Sequence, residues 1–304
     1  MRTKRGLNVN GIVLLDKPVG ISSNRALQKV RGIFQARKAG HTGSLDPFAT
    51  GMLPICLGDA SKTATYMLEA AKQYHAVARV GEATTTGDIE GEVIQTCPIP
   101  DVGSKGITQS LQQFTGEIEQ VPPMYSALKH QGKPLYEYAR AGIEIDRPAR
   151  TVTIQSLELE KWQAPMLSFK VQCSKGTYIR TLAEDIAAAL GSCAHLVELR
   201  RNFVEPFTTQ PMVSLEQLQA ARDQGSLQEF LLPADAGLLA WPRVVLNPDQ
   251  TRRFTHGNSC LLSVDELPFG KVRVYSSEES LLGLAEYSPD RRLQPSRVFN
   301  ITVS

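Results

Sequence analysis

Residues 73–81, QYHAVARVG, put apolar and polar side chains on alternate positions, and 151–160 and 166–173 repeat the pattern. A period of two marks a strand with one face buried and the other wet. Such strands belong to antiparallel sheets, because the fully covered sheets of βαβ folds read as continuous apolar runs. Helical stretches are interspersed with these strands, but no βαβα rhythm runs through the chain. The expected fold class is therefore α+β, with a mostly antiparallel sheet.

Other elements follow from local signals. Residues 11–15 read as a short buried strand, ended by the turn Lys17-Pro18-Val19-Gly20. Ser22 or Ser23 offers a helix N-cap, after which Ala26, Leu27, Val30, Ile33 and Phe34 recur at helical spacing with Arg25, Lys29 and Arg31 between them. Helical spacing returns at 61–71, 104–114, 135–141 and 181–190, the last closed by Gly191. Turn residues at 87–91 precede a strand at 92–95, and 121–134 reads as a Pro-rich loop. A boundary falls in PADAGLLAWPR, 233–243. Beyond it, Asn247-Pro248 starts a helix that stops at Gly257, followed by short strands. The 304 residues thus divide into a unit at 1–235 and a small, mainly β unit at 240–304.

Charge is uneven. The chain carries a net +2, yet residues 1–40 hold nine basic groups (Arg2, Lys4, Arg5, Lys17, Arg25, Lys29, Arg31, Arg37, Lys38) against Asp16 alone. That surplus of eight leaves −6 for the rest, and a basic end on a nearly neutral chain is a footprint for a polyanion. No apolar run approaches the ~18 residues of a membrane span, and none after Met1–Arg5 makes a signal peptide. Five scattered cysteines without a C-x-x-C pair read as reduced thiols in a cytoplasmic protein. Phosphate loops, dinucleotide fingerprints, zinc-protease and hydrolase motifs are absent. Cys193 and His195 alone close no metal site. No metal, no cofactor and no membrane partner is expected.

The stretch 40–58, GHTGSLDPFATGMLPICLG, reads as one long irregular segment, and such segments are usually functional. In it, Asp46 lies between flanking glycines and Pro47, which pushes Asp46 out of the α region. A carboxylate on a stiff loop beside basic residues suits catalysis, although an Asp before Pro commonly just caps a turn.

That loop resembles the catalytic motif of the pseudouridine synthases of the TruB family. LLDKPVGISS (14–23), KQYHAVARVGEATTTGDIEG (72–91), QVPPMYSALKHQGKPLYEYAR (120–140) and CSKGTYIRTLAEDI (173–186) are similar to the family's other blocks, in the same order. The resemblance spans about 11–207. It implies a pseudouridine-synthase fold with a central mixed, mainly antiparallel sheet and a C-terminal PUA-like RNA-binding domain. The implied activity is isomerisation of uridine 55 in the T-loop of tRNA, the tRNA T-arm being the partner and the protein a monomer.

Residue by residue, the resemblance makes Asp46 the catalytic aspartate, with Tyr178 and Arg180 beside it. It makes His41 the residue that displaces and holds the RNA loop, Tyr74 the platform for the flipped base, and Leu199 a wall of the base pocket. Tyr178 is the candidate proton carrier at C5. Covalent attack by Asp46 and proton abstraction through a glycal both stay open, and Lys17 and Lys62 stay open between phosphate contact and structure. An RNA-folding helper without chemistry, or a glycosidase-like enzyme with a second carboxylate, are the competing readings. Glu205 stands where many family members have glycine, which leaves the backbone after the third block undecided.

Overall fold

The computed structural model describes residues 6–262 and 267–300. The chain opens with β1 (Gly11–Lys17), β2 (Ala39–His41), β3 (Thr50–Leu57) and β4 (Lys72–Val80). A hairpin of β5 (Glu82–Thr84) and β6 (Val93–Thr96) follows, then β7 (Gly116–Gln120). A second hairpin pairs β8 (Lys129–His130) with β9 (Lys133–Pro134) and leads to β10 (Arg150–Gln163), β11 (Met166–Cys173) and β12 (Ala194–Val204). The main sheet has the order β1-β3-β12-β4-β11-β10-β7, with β2 also on β3. Every pairing in it is antiparallel except β3 with β12, which run parallel at Thr50–Arg200 and Gly51–Arg201. The sheet is mainly antiparallel, as the alternation predicts, and the one parallel pairing makes it mixed, as the family resemblance implies.

Five helices pack on this sheet. The first, α1 (Ser23–Ile33), is capped by the Ser22 side chain, which accepts from the Arg25 amide. It turns Ala26, Leu27, Val30 and Ile33 onto Val13, Leu15, Leu53, Ile55 and Leu57 of β1 and β3. Arg25, Lys29 and Arg31 stay exposed on its outer face, and Lys38 beyond its end is exposed too. Arg2, Lys4 and Arg5 lie outside the described residues. Behind β1 and β3, α2 (Ala64–Leu68) buries Ala64 and Met67 against Ile12, Leu14, Met52 and Cys56. Helices α3 (Ser104–Gln112) and α5 (Ile179–Ala189) cover β4, β10, β11 and β12. Between them in sequence comes the short α4 (Leu135–Arg140). Burial of apolar side chains such as Leu182 and Ile186, each worth about 1.5–3 kcal/mol relative to exposure, holds α5 in place. After the main sheet, α6 (Leu215–Gln224) joins the α1 layer through Leu215 and Leu218.

A second sheet follows, from β13 (Arg243–Leu246), β14 (Cys260–Leu261), β15 (Gly270–Ser276), β16 (Leu281–Tyr287) and β17 (Arg292–Val298), in the order β13-β15-β16-β17-β14. It has its own core, with Phe254 of α7 (Pro248–Thr255) packed on Val244, Val272 and Val274. The predicted start of α7 is observed: Asn247 and Gln250 exchange side-chain-to-amide hydrogen bonds and Pro248 fills the first turn. Lys62 ties the two parts together, donating to the Val298 carbonyl at 2.6 Å while pairing with Asp59 at 3.0 Å.

Three sequence expectations need correction. Residues 40–58 are not one irregular segment: β2 and β3 leave only 42–49 as loop. The strand TGMLPICL is buried on both faces, so it has no alternation to betray it. The helix expected over 61–71 shrinks to α2, preceded by a 3-10 turn at Gly58–Lys62. The cysteines are not all thiols: Cys97 and Cys193 form a disulfide, while Cys56, Cys173 and Cys260 are free and buried. The two partners are 96 residues apart, and only the fold brings the end of the β5–β6 hairpin to the turn before β12. There Gly81 donates to the Cys193 carbonyl at 2.7 Å and Cys97 donates to the Gly81 carbonyl at 2.8 Å. No helix among the described residues is long and apolar enough to cross a membrane.

Candidate active site

The loop 42–49 is pinned from three sides. Ser23, at the start of α1, accepts from the Leu45 amide at 2.7 Å and donates to the Leu45 carbonyl at 3.0 Å. Lys17, fully buried at the end of β1, donates to the carbonyls of Pro18 (2.9 Å), Ile21 (2.7 Å) and Pro47 (3.3 Å). It is therefore a brace and not part of the basic face. Burial lowers its ammonium to about 8, although Asp46 and Glu90 favour the charge. Arg201 of β12 donates to the carbonyls of Met52 (2.7 Å), Ser44 (3.4 Å) and Gly43 (3.3 Å). Gly51 has to be glycine here: its φ is +97°, and a Cβ would fall 2.2 Å from the Arg201 carbonyl oxygen.

So held, Asp46 faces a cleft of about 280 Å³, at the small end of ligand pockets. Tyr74, Leu199, Tyr178, Arg180, Lys72 and Arg201 line it as well. Strand periodicity explains the grouping. Lys72 and Tyr74 share one face of β4, and Leu199 and Arg201 share one face of β12, with Arg201 directly opposite Tyr74 and Leu199 opposite Ala76. Tyr74 and Leu199 form the apolar side of the cleft.

Arg180 is the hub on the other side. Its side chain is 5% exposed, with Nε 3.1 Å from Asp46 Oδ2 and Nη1 3.3 Å from Asp88 Oδ2. Two further donations, from Nη1 to the Thr86 carbonyl at 2.6 Å and from Nη2 to the Tyr125 carbonyl at 2.7 Å, fix the guanidinium plane. Asp88 is itself held by the Thr86 hydroxyl at 2.6 Å and the Glu90 amide at 3.0 Å. Burial pushes the Asp46 carboxyl above its ordinary value, Arg180 and Lys17 pull it back, and Asp88 adds to the rise. Arg180 is thus the group that favours the charged form in a site that otherwise penalises it.

Tyr178 precedes α5. Its amide donates to Gln120 Oε1 at 3.0 Å, and Gln120 Nε2 donates back to the Tyr178 carbonyl at 3.3 Å. Burial raises its phenol, opposed by Ser126 and by the charges of Arg150 and Arg180. Burial likewise raises the Tyr74 phenol, with Arg201 acting against it.

Five of the six residues expected from the sequence (Asp46, Tyr74, Tyr178, Arg180 and Leu199) line this one cleft. His41 does not. It ends β2, its Nδ1 is buried without a hydrogen-bond partner, and burial together with Arg201 holds its imidazole below the ordinary value. Nothing in the sequence marks Arg201, Lys72 or Asp88, since an Arg-Arg pair, a lysine at a strand start and an Asp in a turn look ordinary there. Lys62 is tied to Asp59 and Val298, as a structural lysine would be. Cys193 lies in the disulfide and the His195 ring nitrogen Nδ1 is 3.0 Å from the Glu82 carbonyl. No cluster among the described residues could hold a metal ion.

Comparison with known proteins gives the family of the chain. Residues 31–179 match the family described as "TruB family pseudouridylate synthase (N terminal domain)". Residues 180–239 match "tRNA pseudouridylate synthase B C-terminal domain", and 242–299 match "Pseudouridine synthase II TruB, C-terminal". The chain is 47% identical over 300 residues to the tRNA pseudouridine synthase B of Actinobacillus succinogenes, covering 98% of this chain and 96% of that one. It is 49% identical over 294 residues to the enzyme of the same name from Pseudomonas putida strain GB-1, covering 96% of each. Among solved structures, a Cbf5–Nop10–Gar1 complex matches with a TM-score of 0.71 and 25% identity over 95% of this chain and 84% of the other. An H/ACA RNP bound to a substrate RNA containing 2′-deoxyuridine matches in fold with a TM-score of 0.73 and 22% identity, covering 99% and 92%. The central sheet and the C-terminal β sheet are those of a pseudouridine-synthase fold with a PUA-like end, and the chain belongs to the TruB family of pseudouridylate synthases, which are isomerases.

Proposed function

We propose that the protein converts uridine 55 in the T-loop of tRNA to pseudouridine, with Asp46 as the catalytic carboxylate acting on a base flipped into the cleft. The observation that carries this reading is the Asp46–Arg180 pair at 3.1 Å, opening onto a cleft shared with Tyr74 and Leu199. The isomerisation breaks the N1–C1′ bond, turns the uracil and rejoins it through C5. It is redox-neutral and can be run by side chains alone. Asp46 either bonds to the nucleotide or removes a proton from it.

Extruding the base costs a few kcal/mol, and stacking on Tyr74 returns about 1–3 kcal/mol. Leu199 walls the pocket and helps exclude water. Tyr178 moves the proton at C5, and His41, at the mouth of the loop, engages the RNA loop from which the base has left. Arg25, Lys29, Arg31 and Lys38 meet phosphates, and residues 240–304 serve as a PUA-like RNA-binding domain beside a catalytic unit at 1–235. The protein acts as a monomer in the cytoplasm. A second carboxylate, Asp88, does lie behind Arg180, but at 5% exposure and bound to three groups it has no access to a glycoside, which disfavours a paired-carboxylate hydrolase.

The test is Asp46→Asn with a tRNA transcript, read by nucleoside chromatography and carbodiimide mapping, since the product has the mass of uridine. Conversion is expected at position 55 with the wild type and nowhere with the variant, while tRNA binding persists. Full conversion by the variant overturns the role of Asp46, and conversion at another uridine overturns the site assignment.

A further inference from the structure

Two cations in the cleft lack the partners that buried charge normally requires. Lys72 is 7% exposed and Arg201 is 1% exposed. Lys72 Nζ donates to the carbonyls of Leu68 (3.1 Å) and Ala70 (2.5 Å), and Arg201 donates to the carbonyls of Met52, Ser44 and Gly43 and also meets the neutral Tyr74 phenol across the strands. Among the described residues, neither forms an ion pair with a carboxylate, whereas Arg180 forms two. Burying a charge against neutral dipoles alone is costly, and an apolar pair of similar size would stabilise the fold as well or better. An ammonium has three N–H groups and a guanidinium five, so both retain donors after these bonds.

The two side chains converge. A Cβ on Gly43, in the loop that carries Asp46, would lie 3.8 Å from both Lys72 Cε and Arg201 Nη1. Both residues line the same cleft as Asp46, Tyr74 and Leu199.

We propose that Lys72 and Arg201 are further catalytic residues, which bind the negative charge that develops on the uracil ring when the N1–C1′ bond breaks. This rests on the isomerase reading above. In the cleavage step the bonding pair leaves with the base, as a uracil anion delocalised over N1 and the carbonyl oxygens. C1′ is compensated either by a new bond to an Asp46 oxygen or by loss of the C2′ proton to Asp46, which leaves a C1′=C2′ double bond. Return reverses this account: C5 bonds to C1′, the Asp46 bond or proton is given back, and the proton on C5 moves to N1. No atom or electron is gained or lost. The anion would be high in energy in a small, poorly hydrated cleft, and donors fixed in advance stabilise it without reorganising. Neutral uracil in the ground state gains much less from them, so their effect falls on kcat and not on binding.

A pH signature accompanies the geometry. Burial lowers the Lys72 ammonium to about 8, Arg201 on β12 and Lys175 push the same way, and Cys173 on β11 and Glu69 oppose. Lys72 must stay protonated to act, so turnover falls as pH rises through about 8. Lys17 sits at a similar value and gives the competing explanation.

The experiment measures single-turnover conversion of saturating tRNA by wild type, Lys72→Met and Lys72→Arg from about pH 6 to about pH 9.5. Binding of tRNA is measured separately in the Asp46→Asn background with and without Lys72→Met. Thermal unfolding reports on folding. Lys72→Met is expected to lose about a hundredfold in turnover, the scale of one preorganised donor, with tRNA affinity within about twofold. The alkaline limb near pH 8 disappears in Lys72→Arg, which keeps a permanent charge and recovers at least about tenfold over Lys72→Met. Turnover near wild type in Lys72→Met overturns the inference. So does an equal loss of binding, or an alkaline limb that survives in Lys72→Arg. If Lys72→Met does not fold, the Lys72→Arg profile decides alone. Failure of the wild type to convert any uridine is a different result, and overturns the isomerase reading instead.

Discussion

Replacing Arg180 by methionine removes one guanidinium that two carboxylates share, and its two consequences can be worked out separately. The first is stability. Asp88 is 5% exposed and would be left charged and buried, with only the Thr86 hydroxyl and the Glu90 amide for company. Removing one partner of a buried pair costs about 3–5 kcal/mol, and the two remaining donors put this case near about 3. A loss of that size lowers Tm by roughly 5–10 °C in a chain this long. The second consequence is the ionisation of Asp46. At 3.1 Å the attraction is about 1.3 kcal/mol in a water-like dielectric and about 5 kcal/mol at an effective value near 20. The Asp46 side chain is 39% exposed, so the water-like end applies, and the ratio of carboxylate to acid falls about tenfold. Burial already raises this carboxyl, so the acidic limb of the rate profile moves further up in pH. Asp88→Asn should do the opposite. It removes a like charge that raises Asp46, and the limb moves down. The assay is single-turnover pseudouridine formation against pH for both variants, with urea unfolding in parallel. If the limb stays in place, or both variants shift it the same way, Arg180 does not control the charge on Asp46.

Three further outcomes are expected. Ser23→Ala leaves the Leu45 amide and carbonyl without a partner, so it should cost about 1–3 kcal/mol in urea unfolding and lower kcat more than it raises KM, and an unchanged kcat would mean the loop does not need this clamp. Glu184, whose carboxyl burial raises to about 7, is bound to its proton more tightly in the folded chain than in the unfolded one; wild-type stability should therefore decline as pH rises from about 4.5 to about 7, and Glu184→Gln should match wild type near pH 4 and exceed it by up to about 3 kcal/mol at pH 8, whereas parallel stability curves would refute this. Arg31→Gln with Lys38→Gln should weaken tRNA binding and flatten its salt dependence by about 0.7–0.9 per charge removed, and an unchanged slope would show that this face does not meet phosphate.

Much of the fold was readable because period and punctuation are local. The alternation of β4 and β11, the Ser22 cap of α1 and the Asn247-Pro248 start of α7 all stand where side-chain spacing puts them. Two elements that matter most to the site were not readable. The strand β3 is buried on both faces, and its Gly51, Pro54 and Gly58 imitate a loop. In β12, Glu198, Arg200 and Arg201 interrupt the apolar pattern, so it is not seen as a strand at all. Yet β12 is what places Arg201 across from Tyr74.

The candidate site divides in the same way. Asp46, Tyr74, Tyr178, Arg180 and Leu199 were marked in the chain because they sit in short motifs whose residue types and spacing carry a resemblance. The partners that give them their properties were not. Asp88 reaches Arg180 across 92 positions, Ser23 clamps Leu45 across 22, and Cys97 meets Cys193 across 96. The burial of Lys17, Lys72 and Arg201 is equally silent in the chain, where a lysine or arginine reads as surface. The amino-acid order therefore settles which groups are present and which strands and helices they ride on, since those depend on neighbours a few positions away. Which charges face each other, and which lose their water, depends on how distant strands come to lie side by side, and that is decided only when the sheet is assembled.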